Sequence, residues 1–295
     1  MKRSDSPETT ANLRLAVLGA GYIGLAAARA FAAAGAAVWA VRRRPGPPEA
    51  GIVAVAGDLA AGAIDGLPGA LDAIVLAVAP SGGVDSYERT YPRASATAVR
   101  AAGGTAVALA RASGARALVY TSSTGVYGGR DGAWVDESTP RRGEGAGNRA
   151  LIEAEDTLLG AGLDGVTVLR VAGIYGPGRD PRPRFARPEL LPMRGEYWVN
   201  LAHQADIVAA ITGSVTWSGQ PRVLNVSDGA PATAAEVARW CAQARGIDPA
   251  SLVFDGEGEI SRSNQRISNA ALVATGWRAR FPSFREGFSE PFTSG

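Results

Sequence analysis

Lysine is almost absent from this chain. Lys and Arg together number 30 in 295 residues, and the single lysine is Lys2. The body of the protein therefore offers no lysine as a general base, a Schiff-base former or a cationic ligand. Cysteine is equally scarce. Cys241 stands alone, which excludes an internal disulfide and makes the cytoplasm the expected compartment. His203 is the only histidine, so one Cys and one His cannot build a zinc-type cluster, and no metal is expected. Charge of one sign is not in excess either. A net charge of +2 argues against nucleic acid as a partner. The apolar stretch 23–41 is interrupted by Arg29 and Gly35, so no membrane span is expected. Residues 1–12 are polar, without the apolar segment of a signal peptide. They are expected to form a disordered tail.

What is present has the balance of a soluble globular protein, 46% hydrophobic and 20% charged. Apolar runs at 13–18, 37–41, 52–56, 73–78, 117–121, 166–171 and 223–226 alternate with helical patterns. Runs apolar on both faces, separated by helices, predict an α/β fold with a doubly wound parallel sheet. We expect a nucleotide-binding domain over 13–175, with 200–228 returning to it. Residues 176–199 and 229–295 are expected to form a small C-terminal lobe on the substrate side.

The first strand runs straight into LAVLGAGYIG at 15–24, which contains G-x-G-x-x-G. Gly19 permits the tight turn, Gly21 lets backbone approach a pyrophosphate, and Gly24 lets the next helix pack closely. Tyr22 and Ile23, within the loop, are expected to contact the cofactor with them. A helix pattern over 23–34 follows, stopped by Gly35. The context is that of a Rossmann dinucleotide site; an ordinary glycine-rich turn is the alternative. The second strand ends in Arg42, Arg43 and Arg44, where an NAD site usually carries an acid for the ribose 2′-OH. Arginines there suit the 2′-phosphate of NADP, each charge-assisted bond being worth roughly 1.5–3 kcal/mol. NADP is favoured over NAD, against the alternative of a solvated basic turn. Asp58 and Leu59, after the third strand, and Ala79, after the fourth, lie at the same sheet edge. Asp58 suits the adenine amino group or, alternatively, caps a helix.

Residues 176–198 break the alternation. They hold five prolines and Arg179, Arg182, Arg184, Arg187 and Arg194. The loop suits an anionic small-molecule substrate, or is simply a solvated basic loop.

The segment LVYTSSTGVYG at 118–128 resembles the extended and atypical short-chain dehydrogenase/reductases, including the NAD-dependent epimerases and dehydratases. The resemblance continues at LRVAGIYGPG (169–178), NLAHQADIV (200–208), RISN (266–269), GW (276–277) and FPSFREG (281–287). The last set resembles the atypical YeeZ-like subgroup. The resemblance implies that Ser123 hydrogen-bonds the reacting oxygen; the alternative is that Ser122 and Ser123 only bond a turn. It also implies that Tyr127 and Tyr175 pack, and that the turn at Asp136 and Glu137 is structural. A homodimer through helices near 96–112 and 149–159 follows by the same analogy.

The family's acid/base pair, Y-x-x-x-K, belongs on the helix expected from Gly147-Asn148-Arg149 through Glu155. That segment has neither residue, and no tyrosine lies between Tyr127 and Tyr175. Arg149 suits the ribose contacts of the missing lysine but keeps its proton at neutral pH. His203 and Glu144 are the substitute proton donors to consider, since such catalysis typically contributes 10²–10⁴-fold. Three functions follow. The first is an NADP-binding oxidoreductase-like enzyme with an altered catalytic set. The second is a non-catalytic NADP-binding sensor or scaffold. The third is a nucleotide-sugar epimerase or dehydratase, whose chemistry normally needs the tyrosine.

Overall fold

The computed structural model describes residues 10–62, 64–78, 95–129, 131–185, 191, 194–217, 219–220, 222–256 and 264–292. Ala79, Arg187, Pro188 and Pro192 lie outside them, as do residues 1–9. Residues 10–12, expected in a disordered tail, form a turn instead: Asn12 N–H donates to Gly35 O at 3.2 Å and Leu13 N–H to Thr10 O at 3.3 Å.

In chain order the strands are β1 (Arg14–Leu18), β2 (Ala37–Arg42), β3 (Ile52–Ala56), β4 (Ala73–Leu76), β5 (Ala117–Ser123), β6 (Trp134–Val135), β7 (Val166–Val171), β8 (Gly173–Tyr175), β9 (Trp198–Val199), β10 (Leu201–His203), β11 (Arg222–Val226), β12 (Ala232–Thr233) and β13 (Arg266–Ile267). Seven make one sheet in the order β11-β7-β5-β4-β1-β2-β3. The pairs β1–β2, β2–β3, β1–β4 and β4–β5 are parallel. The sheet winds outward in both directions from β1, so β1 and β4 flank the switch point where such sheets take ligands. Every residue of β4 and β7 is buried, as strands covered on both faces require. β3 closes one edge and exposes Val53.

The chain divides into two units. The first comprises 1–122, 145–169 and 208–223, and the second 123–144, 170–207 and 224–295. The sequence places 123–144 and 170–175 with the nucleotide-binding part. In the structure these segments follow the C-terminal ends of β5 and β7 and pack with the later chain instead.

In the first unit the helix Tyr22–Ala33 buries Gly24, Ala27, Ala28 and Phe31, one face at helical spacing. Gly35, with φ +89°, ends it. The helices Ala96–Ser113 and Gly145–Leu159 pack closely. A Cβ on Gly103 would lie 3.5 Å from Ala154, and Arg100 pairs with Glu153. The second of these helices starts two residues before the expected Gly147. In the second unit a core of Tyr175, Phe185, Leu191, Val237, Cys241, Phe284 and Phe288 holds the helices Ala234–Ala244 and Phe284–Ser289. Burial pushes the Cys241 thiol up to about 12, so it packs as a small apolar group. Among the described residues no helix is long and apolar enough to cross a membrane.

Candidate functional site

The glycine loop is built from β1, β2 and the first helix. Gly19 and Ala20 donate their N–H groups to Val41 O at 3.0 and 2.9 Å, which ties the loop to the end of β2. Gly19 has φ +91°, and a Cβ there would sit 2.7 Å from Ala77 O. A Cβ on Gly24 would overlap the Gly19 carbonyl oxygen. These two positions need glycine for packing. Gly21 does not: among the described residues, a Cβ there would meet nothing within 4 Å. It is the N-cap of Tyr22–Ala33, with no side-chain cap and no acid in the first turn. The helix start therefore has unopposed dipole charge. Open space beside such a start fits a pyrophosphate. Ile23 is buried and Tyr22 half-buried at its edge.

At the end of β2 the Arg42 carbonyl accepts from Gly57 N at 3.2 Å. Its guanidinium folds over the following turn, where a Cβ on Gly46 would collide with it. Glu49 is held below the usual carboxylate range by its bond to Arg29 and, more weakly, by the charge of Arg42. Arg43 is exposed. Asp58 is exposed too, and its Oδ1 accepts from Ala60 N at 3.0 Å, so it caps a turn rather than a helix. Leu59 is half-buried and its carbonyl accepts from Thr105 Oγ1 at 2.8 Å. Arg149 is exposed on the first turns of Gly145–Leu159.

One anchor in this unit escaped the sequence analysis. Ser122 Oγ donates to Glu155 Oε1 at 2.6 Å, and Glu155 is fully buried. This fastens the helix to β5. The signal was spacing: Leu151, Glu155 and Leu158 share the buried face. Nearby Tyr120 is buried, and burial together with the Glu155 charge pushes its phenol far above its usual range.

The second unit begins at Ser123. Its Oγ accepts from Gly125 N at 3.1 Å, opening the short turn Thr124–Val126. The hydroxyl proton itself makes no hydrogen bond among the described residues. Gln265, also missed by sequence, clamps this loop: Nε2 donates to Thr124 O at 3.1 Å and Oε1 accepts from Gly129 N at 3.0 Å. Tyr127 is buried; its hydroxyl donates to Asn225 Oδ1 at 2.6 Å and accepts from Arg170 Nη1 at 3.0 Å. Glu137 Oε1 accepts from Asn225 N at 2.6 Å. Bonds from Ser138 and Thr139 hold Asp136 below the usual carboxylate range. Both acids shape the turn. Tyr175 is buried against Gly287.

His203 is enclosed. It is 6% exposed. Its ring lies 4.1 Å from that of Phe281 and edge-on to Tyr175 at 5.1 Å. Nδ1 accepts from Ala205 N at 3.1 Å. Burial first, then the Arg280 charge, pulls its pKa down to about 4. A neutral, packed imidazole does not suit the proton-donor role expected of it. Glu144 is exposed just before Gly145–Leu159.

Two arginines of the loop 176–198 are committed locally. Arg182 grips Asp180, with Nε–Oδ1 and Nη2–Oδ2 both at 2.8 Å, donates to Phe288 O and covers the Phe292 ring. Arg194 pairs with Glu196 at 2.7 Å. Neither presents a free fork to a substrate.

Comparison with known proteins agrees with this architecture. Protein YeeZ of Escherichia coli K12 is 44% identical over 95 residues, which cover 32% of this chain and 34% of YeeZ. A putative NAD-dependent epimerase/dehydratase from Methylobacillus flagellatus superposes with a TM-score of 0.73 at 26% identity, covering 94% of this chain and 96% of that one. The enzyme WbmG of Bordetella bronchiseptica, solved with NAD, shares the fold with a TM-score of 0.77 at 17% identity, over 98% of this chain and 94% of its own. The family model described as "NAD dependent epimerase/dehydratase family" matches residues 15–226. The chain belongs to that family, within the short-chain dehydrogenase/reductase superfamily.

Proposed function

We propose that the protein is an NADP-binding oxidoreductase-like enzyme acting on a small anionic substrate, with an altered proton-transfer set. The observation that carries this is the open space at Gly21 beside an uncapped helix start. Bound there, the nicotinamide would supply or accept hydride. NAD is the dinucleotide held by WbmG; NADP is favoured here by Arg42 and Arg43 at the end of β2 and by the lack of an acid at 41–44. Arg42→Ala is expected to weaken NADPH binding by about 10- to 100-fold, one charge-assisted bond, and to leave NADH almost unchanged. Calorimetric titration of both nucleotides checks it, and equal losses for both would refute the 2′-phosphate role.

Ser123 is the group assigned to the substrate oxygen. One of its two acceptor lone pairs takes Gly125 N–H, and its proton, unengaged among the described residues, is left for a substrate oxygen. No tyrosine or lysine on Gly145–Leu159 can move the proton; exposed Glu144, or water, takes that part. The missing pair also favours a second reading, a nucleotide-dependent sensor without turnover. Nucleotide-sugar epimerisation or dehydration is the third reading: the family match supports it, and it normally uses a tyrosine that Gly145–Leu159 lacks. Ser123→Ala separates the first two. An enzyme should lose turnover by roughly 10²-fold or more while keeping NADPH affinity. Unchanged turnover would remove Ser123 from the chemistry. A chain that binds NADPH but reduces nothing in a screen of carbonyl acids would be a sensor.

A further inference from the structure

Within the second unit, a side-chain stack on the short strands has no part in the chemistry above. Arg266 on β13 is the register partner of Trp134 on β6. Its guanidinium carbon lies 5.3 Å from the Trp134 ring centroid and 4.9 Å from that of Trp198. A cation within reach of two indole rings is attracted by both.

The stack is anchored at several points. Arg266 Nε donates to Gly132 O at 2.8 Å. Its backbone N–H donates to Ala133 O at 2.8 Å, and Gly132 N–H donates to Asn264 O at 2.9 Å. Asn264 Oδ1 accepts from Trp198 N at 2.8 Å, which fixes the second indole. Gly132 has φ +74°, and a Cβ there would press on Trp198 Nε1 at 3.0 Å. The glycine is needed for both reasons.

With Nε engaged, the guanidinium has its Nη1/Nη2 edge left. That edge makes no hydrogen bond or ion pair among the described residues, unlike those of Arg182 and Arg194. Two parallel N–H donors on a half-buried cation match a carboxylate or phosphate. Little ordering entropy is lost on binding, because the side chain is already fixed. Beside it, Trp134 is 54% exposed, and its indole offers a flat apolar surface next to the charge.

We propose that Arg266, held between Trp134 and Trp198, binds the carboxylate or phosphate of a small ring-bearing molecule whose ring lies on Trp134. This names the arginine that recognises the anionic substrate. Its part in turnover rests on the function proposed above; its ability to bind does not.

Calorimetry on the full chain tests it with four probes: phenyl phosphate, benzoate, inorganic phosphate and benzyl alcohol. The expected result is saturable binding of phenyl phosphate or benzoate, the stronger of the two identifying the head group. Inorganic phosphate and benzyl alcohol should each bind roughly tenfold more weakly, since each lacks one half of the recognition. Arg266→Gln should weaken the anionic probe by about tenfold or more. Trp134→Ala, an exposed position, should reduce phenyl phosphate to the level of inorganic phosphate, and it decides the matter if Arg266→Gln does not fold. The site is overturned if neither ring-bearing anion saturates, or if Trp134→Ala leaves their binding unchanged. NADPH is titrated in parallel. NADPH binding without anion binding overturns this site alone, and anion binding without NADPH binding overturns the cofactor proposal alone.

Discussion

Gly24→Ala is expected to destabilise the protein by about 1–3 kcal/mol and to abolish NADPH binding, whereas Gly21→Ala should leave stability within about 1 kcal/mol and weaken NADPH binding by about tenfold or more. The two positions are three residues apart, but their surroundings differ. Alanine at Gly24 gains about 1 kcal/mol of helix propensity. Against that, its Cβ would overlap the Gly19 carbonyl and stand 3.2 Å from Val17 Cγ1. The overlapped atom is backbone, not the mobile end of a side chain, so the loop must move and the overlap dominates. At Gly21 the added methyl meets no atom of the described residues within 4 Å, and its backbone, φ −89° and ψ −151°, is extended. The methyl would instead occupy the space assigned to the pyrophosphate. Displacing one phosphate contact worth roughly 1.5–3 kcal/mol weakens binding by about tenfold or more. Urea denaturation and NADPH titration of the two variants check this pair. Full NADPH affinity in Gly21→Ala would show that the loop is a packing feature and no more.

The second large effect is on pH. Burial, helped by the Asp206 and Glu286 charges, raises the Asp228 pKa from 3.8 to about 8. Burial also raises Asp206, although bonds from Arg280 and Phe281 N–H oppose it. A raised carboxyl holds its proton in the native state after the unfolded chain has lost it. Its contribution to stability is therefore complete below about pH 4 and is lost as pH rises towards 8. His203 acts with the opposite sign. Its pKa falls from 6.5 to about 4, so the unfolded chain is favoured by protonation below 6.5. Between 4 and 6.5 the two offset each other. Between 6.5 and 8 Asp228 acts without that offset, and its raised pKa should lower stability by up to about 1.4 kcal/mol per pH unit. Asp228→Asn keeps an acceptor for Ala230 N and should flatten that slope. Urea melts at pH 6.5 and 8.0 measure it. Equal stability of the native chain at the two values would mean that Asp228 ionises normally.

Much of the fold was legible because the strands carry their own signal. β3 and β7 fall at the expected 52–56 and 166–171, each a short apolar run between turn residues. β5 runs two residues beyond expectation because Ser122 and Ser123 stay extended, Ser122 being anchored on Glu155. β4 stops at Leu76 because the Ala77 carbonyl comes up against Gly19. The glycine loop was legible for a similar reason: Gly19 and Gly24 each answer a local packing demand. The partners of Ser122 and Thr124, on either side of Ser123, were not. Gln265 is 141 positions from Thr124, and Glu155 is 33 from Ser122, and no local pattern reports such pairs. Arg182 was misleading in the opposite sense. Asp180 two residues earlier neutralises it, so a count of arginines in 176–198 overstated the loop's attraction for anions. His203 was chosen by residue type, and only its burial against Phe281 and Tyr175 shows what it does.

The most direct test of the account is calorimetric titration of the unsubstituted chain with NADPH and NADH at pH 7. Saturable binding of one NADPH per chain, tighter than NADH by about tenfold or more, is the predicted result. Binding of neither nucleotide would contradict the central claim that the loop at Gly19, Gly21 and Gly24 holds a dinucleotide.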